Sequence, residues 1–185
     1  MRGGGALVWL LAGLLVVALV VWYLSSTAGR LDRLHRRVEV SWDNLVAALQ
    51  RRRDLADHVA GTGLLDPASS LLIADAVANV DQSTPADRVA FYLVESDLTA
   101  VLAAVFADPA EVDEIIAGPG GDLVAKLADA CHRVEMGRRF YNDAVLATRN
   151  MRGRILVRWF RLQGTAAMPE TVEMADSVPD GFAGR

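Results

Sequence analysis

Nineteen consecutive residues, Ala6–Leu24 (ALVWLLAGLLVVALVVWYL), carry no charge, and their only polar side-chain atoms belong to Trp9, Trp22 and Tyr23. At about 1.5 Å per helical residue such a stretch spans roughly 28 Å, close to the hydrocarbon thickness of a bilayer. Inside lipid every backbone N–H and C=O must be satisfied within the segment, so the stretch is expected as a transmembrane helix. Trp22 and Tyr23 close it where amphipathic rings favour the headgroup layer. Small residues at Ser26-Thr27-Ala28 would also suit a cleaved signal peptide. The run is longer than the usual apolar region of about 7–15 residues, however, and only Arg2 precedes it, which favours a retained anchor.

Charge divides the remainder. Residues 30–53 and residues 138–161 carry seven arginines each, whereas between Gly61 and Asp122 eleven carboxylates face the single Arg88. The basic flanks lack aromatic stacking positions apart from Trp159 and Phe160, so solvated helix faces are expected there and no nucleic-acid partner. Arg30, Arg33, Arg36 and Arg37 follow the anchor closely while Arg2 stands before it. The positive-inside bias therefore puts the N-terminus outside and the following domain in the cytoplasm. One cysteine, Cys131, excludes an intramolecular disulfide framework.

Beyond the anchor the periodicity is helical throughout. Leu31, Leu34, Val38, Trp42, Leu45, Leu49, Ala56 and Val59 recur at three- and four-residue steps up to the Gly61-Thr62-Gly63 break. Asp66-Pro67 starts a second helix through Leu71, Leu72, Ile73, Ala76, Val77 and Val80, with Asp as cap and Pro in the first turn. Thr84-Pro85 repeats the signal for a third, with Val89, Phe91, Tyr92, Leu93, Leu98, Val101, Leu102 and Val105 as apolar positions. Asp108-Pro109 ends it, and Pro109–Ile116 adds a short helical turn. Gly118-Pro119-Gly120-Gly121 is a loop with no Lys-Ser/Thr after it, hence no phosphate cradle. The last long helix is expected from Asp122, as cap, to about Met151, with Leu127, Val134, Phe140, Tyr141, Val145 and Leu146 on its apolar face.

The expected fold is therefore all-α, an N-terminal transmembrane helix followed by an antiparallel bundle of about four helices. Residues 1–5 form a short tail, 6–24 the anchor, 25–163 the bundle and 164–185 an acidic flexible tail. In an up-and-down bundle Arg149–Arg161 returns toward the bilayer. Arg30, Arg33, Arg37, Arg154, Arg158, Trp159 and Arg161 are then candidates for membrane-surface contact.

Arg138-Arg139-Phe140-Tyr141-Asn142-Asp143-Ala144-Val145, late in a helical chain, resembles the LemA family of bacterial membrane-anchored proteins. Val40-Ser41-Trp42-Asp43-Asn44-Leu45 leading to Arg51-Arg52-Arg53-Asp54-Leu55 is similar to an earlier family pattern. Glu95-Ser96-Asp97-Leu98 and the closing Pro179 and Phe182 resemble others. The likeness spans about Leu24 to Phe182. The chain departs from the pattern at Cys131-His132, Gly137 and Arg149-Asn150. The resemblance implies a membrane-tethered antiparallel bundle with no established enzymatic activity, of a kind thought to act as a scaffold or accessory to membrane proteins, membrane peptidases among them.

Chemistry in the sequence is sparse, and no cofactor is expected. His132 with Glu135, and His58 with Asp54, could each be one arm of a metal site, which would make the chain a metal-assisted hydrolase. The facing glutamates such a site requires are missing. Cys131 reads as a core cysteine and not a nucleophile. Arg139, Tyr141 and Asn142 are candidates for a partner surface, with Tyr141 expected to pack inward and Asn142 to bond a facing helix or loop. The expected partners are the bilayer and a membrane or cytosolic protein; a homo-oligomer stays open, as does an envelope-shaping, lipid-binding role for Arg149–Arg161.

Overall fold

The computed structural model describes residues 3–153 and 168–184. The described chain is all-helical: α1 (Gly3–Gly61), α2 (Pro67–Asp81), α3 (Arg88–Val105), α4 (Pro109–Ala117), α5 (Gly121–Arg152) and a closing 3₁₀ turn (Asp180–Phe182). No strand occurs among the described residues, and Ile155-Leu156-Val157, the one short strand-like run of the sequence, lies outside them. The chain divides into two compact units, Met1–Glu39 with Ala144–Glu170, and Val40–Asp143 with Thr171–Arg185.

In the first unit, the apolar stretch forms the beginning of α1, and from Val8 to Tyr23 every residue is exposed. This part of α1 is long and apolar enough to cross a membrane, and none of its apolar window is buried. The hydroxyls of Ser26 and Thr27 donate back to the Tyr23 carbonyl at 3.0 and 2.8 Å, so these two polar residues leave the helix unbroken. On α5, Thr148 does the same toward Ala144 at 2.8 Å.

The second unit holds the core. Leu45, Leu49, Ala56 and Val59 of α1 are buried at helical spacing, with Ile73, Val77 and Val80 of α2, Leu98 and Leu102 of α3, and Val124, Leu127 and Val134 of α5. Contacts fix the directions. Trp42 packs against Tyr141 with ring centroids 5.5 Å apart and planes tilted by 56°, Gly137 lies against Leu45, and Leu55 shares a cleft with Ala130. Rising along α1 thus means descending along α5, an antiparallel pair. Arg88 sits 5.2 Å over the Trp42 ring and Arg52 meets Glu95 at 2.7 Å, so α1 and α3 run the same way. Gly137 lies on the α1-facing side of α5, where an added Cβ would stand 3.4 Å from Leu45 Cδ1, an ordinary van der Waals contact.

Helix starts follow local chemistry. Asp66 caps α2, accepting from the N–H groups of Ala68 and Ser69 at 2.9 and 3.1 Å. A hydrogen bond from the Ser69 side chain first, and then the backbone bonds from Ser69 and Ala68, hold its carboxyl below the usual range. Asp108 caps α4 in the same way with Pro109 in the first turn, and α4 leaves α3 at 83°. Two starts differ from expectation. Helix α3 is capped by Asp87, which accepts from Ala90 N–H, because Thr84–Asp87 close a turn of their own first. Helix α5 begins at Gly121, with Asp122 inside its first turn pairing with Lys126; a Cβ at Gly121 would lie 1.8 Å from the Ile116 carbonyl oxygen, so that first position requires glycine.

Several residues expected on apolar faces are exposed instead: Leu71, Leu72, Val89, Leu93, Phe140 and Leu146. The buried stripe of each helix is narrow, and these positions lie on or beyond its outer margin.

A larger correction concerns the C-terminus. The described part of the expected flexible tail packs onto the second unit from Thr171 onward. Val172 and Met174 are buried while Glu173, Ala175 and Ser177 are exposed, the alternation of an extended strand. Phe182 ends it at 0% exposure, 4.8 Å from the Phe106 ring, and Gly181 donates to the Phe106 carbonyl at 2.9 Å. A Cβ on Gly181 would come within 2.5 Å of that oxygen, so only glycine fits there. The acidic composition misled because its few apolar residues are spaced by two and each finds a pocket.

Candidate functional site

The buried polar side chains of the second unit, Arg52, Glu95 and Thr99, converge on one network. Arg52 continues the buried stripe of Leu45, Leu49, Ala56 and Val59 on α1, and Glu95 continues that of Phe91, Leu98 and Leu102 on α3. Each charge is thereby carried inside by the apolar neighbours on its own helix. Arg52 Nη2 donates to Glu95 Oε2 at 2.7 Å and to the Glu95 carbonyl at 3.3 Å, while Nη1 donates to Thr99 Oγ1 at 2.8 Å. Side-chain exposures are 2% and 0%. Stripping water from both charges is expensive, and only close geometry with further hydrogen bonds offsets it. Arg52 Nε and Glu95 Oε1 are buried without a hydrogen-bond partner among the described residues.

This network reaches the extended C-terminal strap. The Thr99 hydroxyl lies 3.0 Å from the Glu95 carbonyl and 3.1 Å from that of Ala175, and its one proton serves these two acceptors. Ser96 Oγ accepts the Ala175 N–H at 3.0 Å and donates to the Tyr92 carbonyl at 2.6 Å. Helix α5 grips the strap from its own side. Asn142 Oδ1 accepts from Val172 N–H at 2.8 Å and its Nδ2 donates to the Val172 carbonyl at 3.1 Å, the pairing a neighbouring strand would make. One turn away Arg138 forks onto Asp176 at 2.6 and 2.9 Å. That hydrogen bond raises the Arg138 guanidinium pKa further. Side-chain amides, hydroxyls and a guanidinium thus replace the partner strand the strap lacks.

The residues singled out in the sequence separate. Tyr141 is buried against Trp42, and Asn142 holds Val172. Arg139 is exposed and pairs with Glu135 one turn back. The three form no common surface; of the motif, Arg139, Phe140 and Asp143 face outward. Arg52, Glu95, Ser96 and Thr99, not among the candidates, organise the centre. The signal was present: one Arg and one Glu each stand in phase with an apolar stripe.

The metal arms do not assemble. His132 Nε2 lies 3.4 Å from the Phe182 carbonyl, Glu135 pairs with Arg139, and His58 and Asp54 are exposed. Among the described residues no group of three His, Cys, Asp or Glu side chains is placed to hold an ion. Cys131 is buried, and burial pushes its thiol from 9.0 up to about 11, with Arg52 pulling weakly the other way. It is an inert thiol at neutral pH.

In the first unit Arg30, Arg33 and Arg37 line an open cavity with Leu34 and Met151. Arg154, Arg158, Trp159 and Arg161 lie outside the described residues.

Compared with known protein families, with curated proteins and with solved structures, the chain matches none. The class its own structure defines is an all-helical protein with one helix near the N-terminus long and apolar enough to span a membrane.

Proposed function

We propose that this chain is a single-pass membrane protein of the LemA type, whose antiparallel bundle serves as a non-enzymatic scaffold or accessory for a membrane partner. The observation that carries the reading is the continuity of α1. One unbroken helix holds both the exposed apolar stretch Val8–Tyr23 and the stripe Leu45, Leu49, Ala56 and Val59 that builds the core. An apolar surface of that extent, exposed on every side, calls for lipid. Arg52, Glu95, Asn142 and Phe182, which lie in the segments that carry the resemblance, are all engaged in the network and strap.

The arginines that follow the anchor favour a cytoplasmic bundle. Arg139 and Phe140, turned outward on α5, form the proposed contact edge for the partner, in place of the Arg139–Tyr141–Asn142 surface. Affinity purification of the full-length chain in mild detergent tests this. A defined membrane partner that is retained by the full chain and lost when residues 1–28 are removed supports the scaffold. Recovery of the chain alone sinks it.

A further inference from the structure

We infer that Arg30, Arg33 and Arg37 form a binding site for the phosphate of an anionic phospholipid, with Leu34 and Met151 as its apolar floor. The inference rests on the membrane-anchored reading and adds a ligand to it. Three observations carry it. First, the five residues line one open cavity of about 360 Å³ in the first unit. Secondly, the three arginines are exposed, and among the described residues no carboxylate pairs with them. At about 100° per residue they fall with Leu34 within roughly a third of the helix circumference. Asp32 and Glu39, the acids of this stretch, fall on the opposite side and leave the positive field of the cavity uncompensated.

Thirdly, the membrane end of the cavity lies at the height of lipid headgroups. Arg30 lies about 9 Å along the helix beyond Leu24, where the apolar stretch ends, Arg33 about 14 Å and Arg37 about 20 Å, so Arg30 and Arg33 form the membrane end of the cavity. The polar layer of a leaflet is about 5–8 Å thick, and a long arginine stem reaches back toward it. Guanidinium forks match phosphate oxygens in geometry and stay charged at every physiological pH. Leu34 and Met151 offer apolar surface at the same cavity, which suits the glycerol end of a lipid and gives a free phosphate ion nothing to bind.

The test uses the full-length chain in nanodiscs of phosphatidylcholine doped with phosphatidylglycerol, released into native mass spectrometry to count retained lipid. The wild type is expected to retain phosphatidylglycerol preferentially. The triple variant R30Q/R33Q/R37Q should lose that preference by about a hundredfold, from about fivefold per arginine near a membrane surface. The variant R51Q/K126Q/R133Q, which loses the same charge in the other unit, should keep it. Unchanged preference in the first variant, or equal loss in both, overturns the site. Displacement of the lipid by millimolar inorganic phosphate overturns the lipid as ligand. A chain that enters nanodiscs without anionic preference defeats this inference alone; a chain that does not enter them defeats the anchored reading and the site with it.

Discussion

Arg52 and Glu95, 43 positions apart, meet at 2.7 Å in the interior of the second unit, and Thr99 passes their network on to the backbone of Ala175. Two helices and the strap are thereby joined through one guanidinium. Removing either charge strands the other in a water-excluded site.

Replacement of Glu95 by Ala should therefore destabilise the fold by about 3–5 kcal/mol, the range for an orphaned buried charge. The double change R52M/E95L should recover most of that loss. Urea unfolding of the detergent-solubilised chain reads both. A single Glu95→Ala variant within about 1 kcal/mol of wild type would show the pair to be solvated.

The strap makes its own prediction. The N–H groups of Val172, Ala175 and Gly181 are bonded although they lie outside the α-helices. Hydrogen exchange should find these amides protected, and Asn142→Ala should release Val172 selectively at a stability loss of about 1–3 kcal/mol. Exchange at unfolded-chain rates throughout 171–182 would mean that the strap is not docked.

Phe182 anchors the far end. Phe182→Ala empties a fully buried site against Phe106 and should cost about 3–5 kcal/mol. Limited proteolysis should then cut near Val178–Ala183 first. An unchanged digestion pattern and midpoint would remove Phe182 from the core.

Cys131 gives the pH dependence. Its thiol holds the proton up to about 11 in the folded chain, against 9.0 ordinarily. The stabilisation this represents is complete below the ordinary value and is lost as pH rises through the folded one. Between them the unfolded chain has released the proton and the native one has not, so stability should fall by up to about 1.4 kcal/mol per pH unit. Cys131→Ala should flatten the slope in that window, whatever it does to the absolute level. Equal slopes in the two proteins would show the thiol to be accessible, as would rapid maleimide labelling of the native chain at neutral pH.

Much of the fold is legible in the sequence because three- and four-residue steps survive the averaging of side chains. The apolar run at Ala6–Leu24, the Asp-Pro starts at Asp66 and Asp108, and the glycine breaks at Gly61 and Gly118 all announce themselves locally. What stayed hidden is non-local. The shared face of Arg138 and Asn142 can be read from a helical wheel, but not that Asp176 and Val172 fill it. The strap itself carries a period-two pattern, Val172, Met174 and Val178 against Glu173, Ala175 and Ser177. Short and flanked by acids, that pattern resembles a tail until its partners on α3 and α5 are known. The Arg52–Glu95 pair is half-legible: two charges out of place on apolar stripes announce burial, not that each is the other's partner.

The most direct measurement of the central claim is the topology of the full chain. A Cys131→Ser background with one cysteine added after Arg185 would be expressed in bacterial cells and exposed to a membrane-impermeant maleimide. The account predicts a chain that sediments with membranes and stays unlabelled until the cells are lysed. Labelling of intact cells would put the bundle on the outer side and contradict the orientation; recovery of the chain in the soluble fraction would contradict the anchor itself.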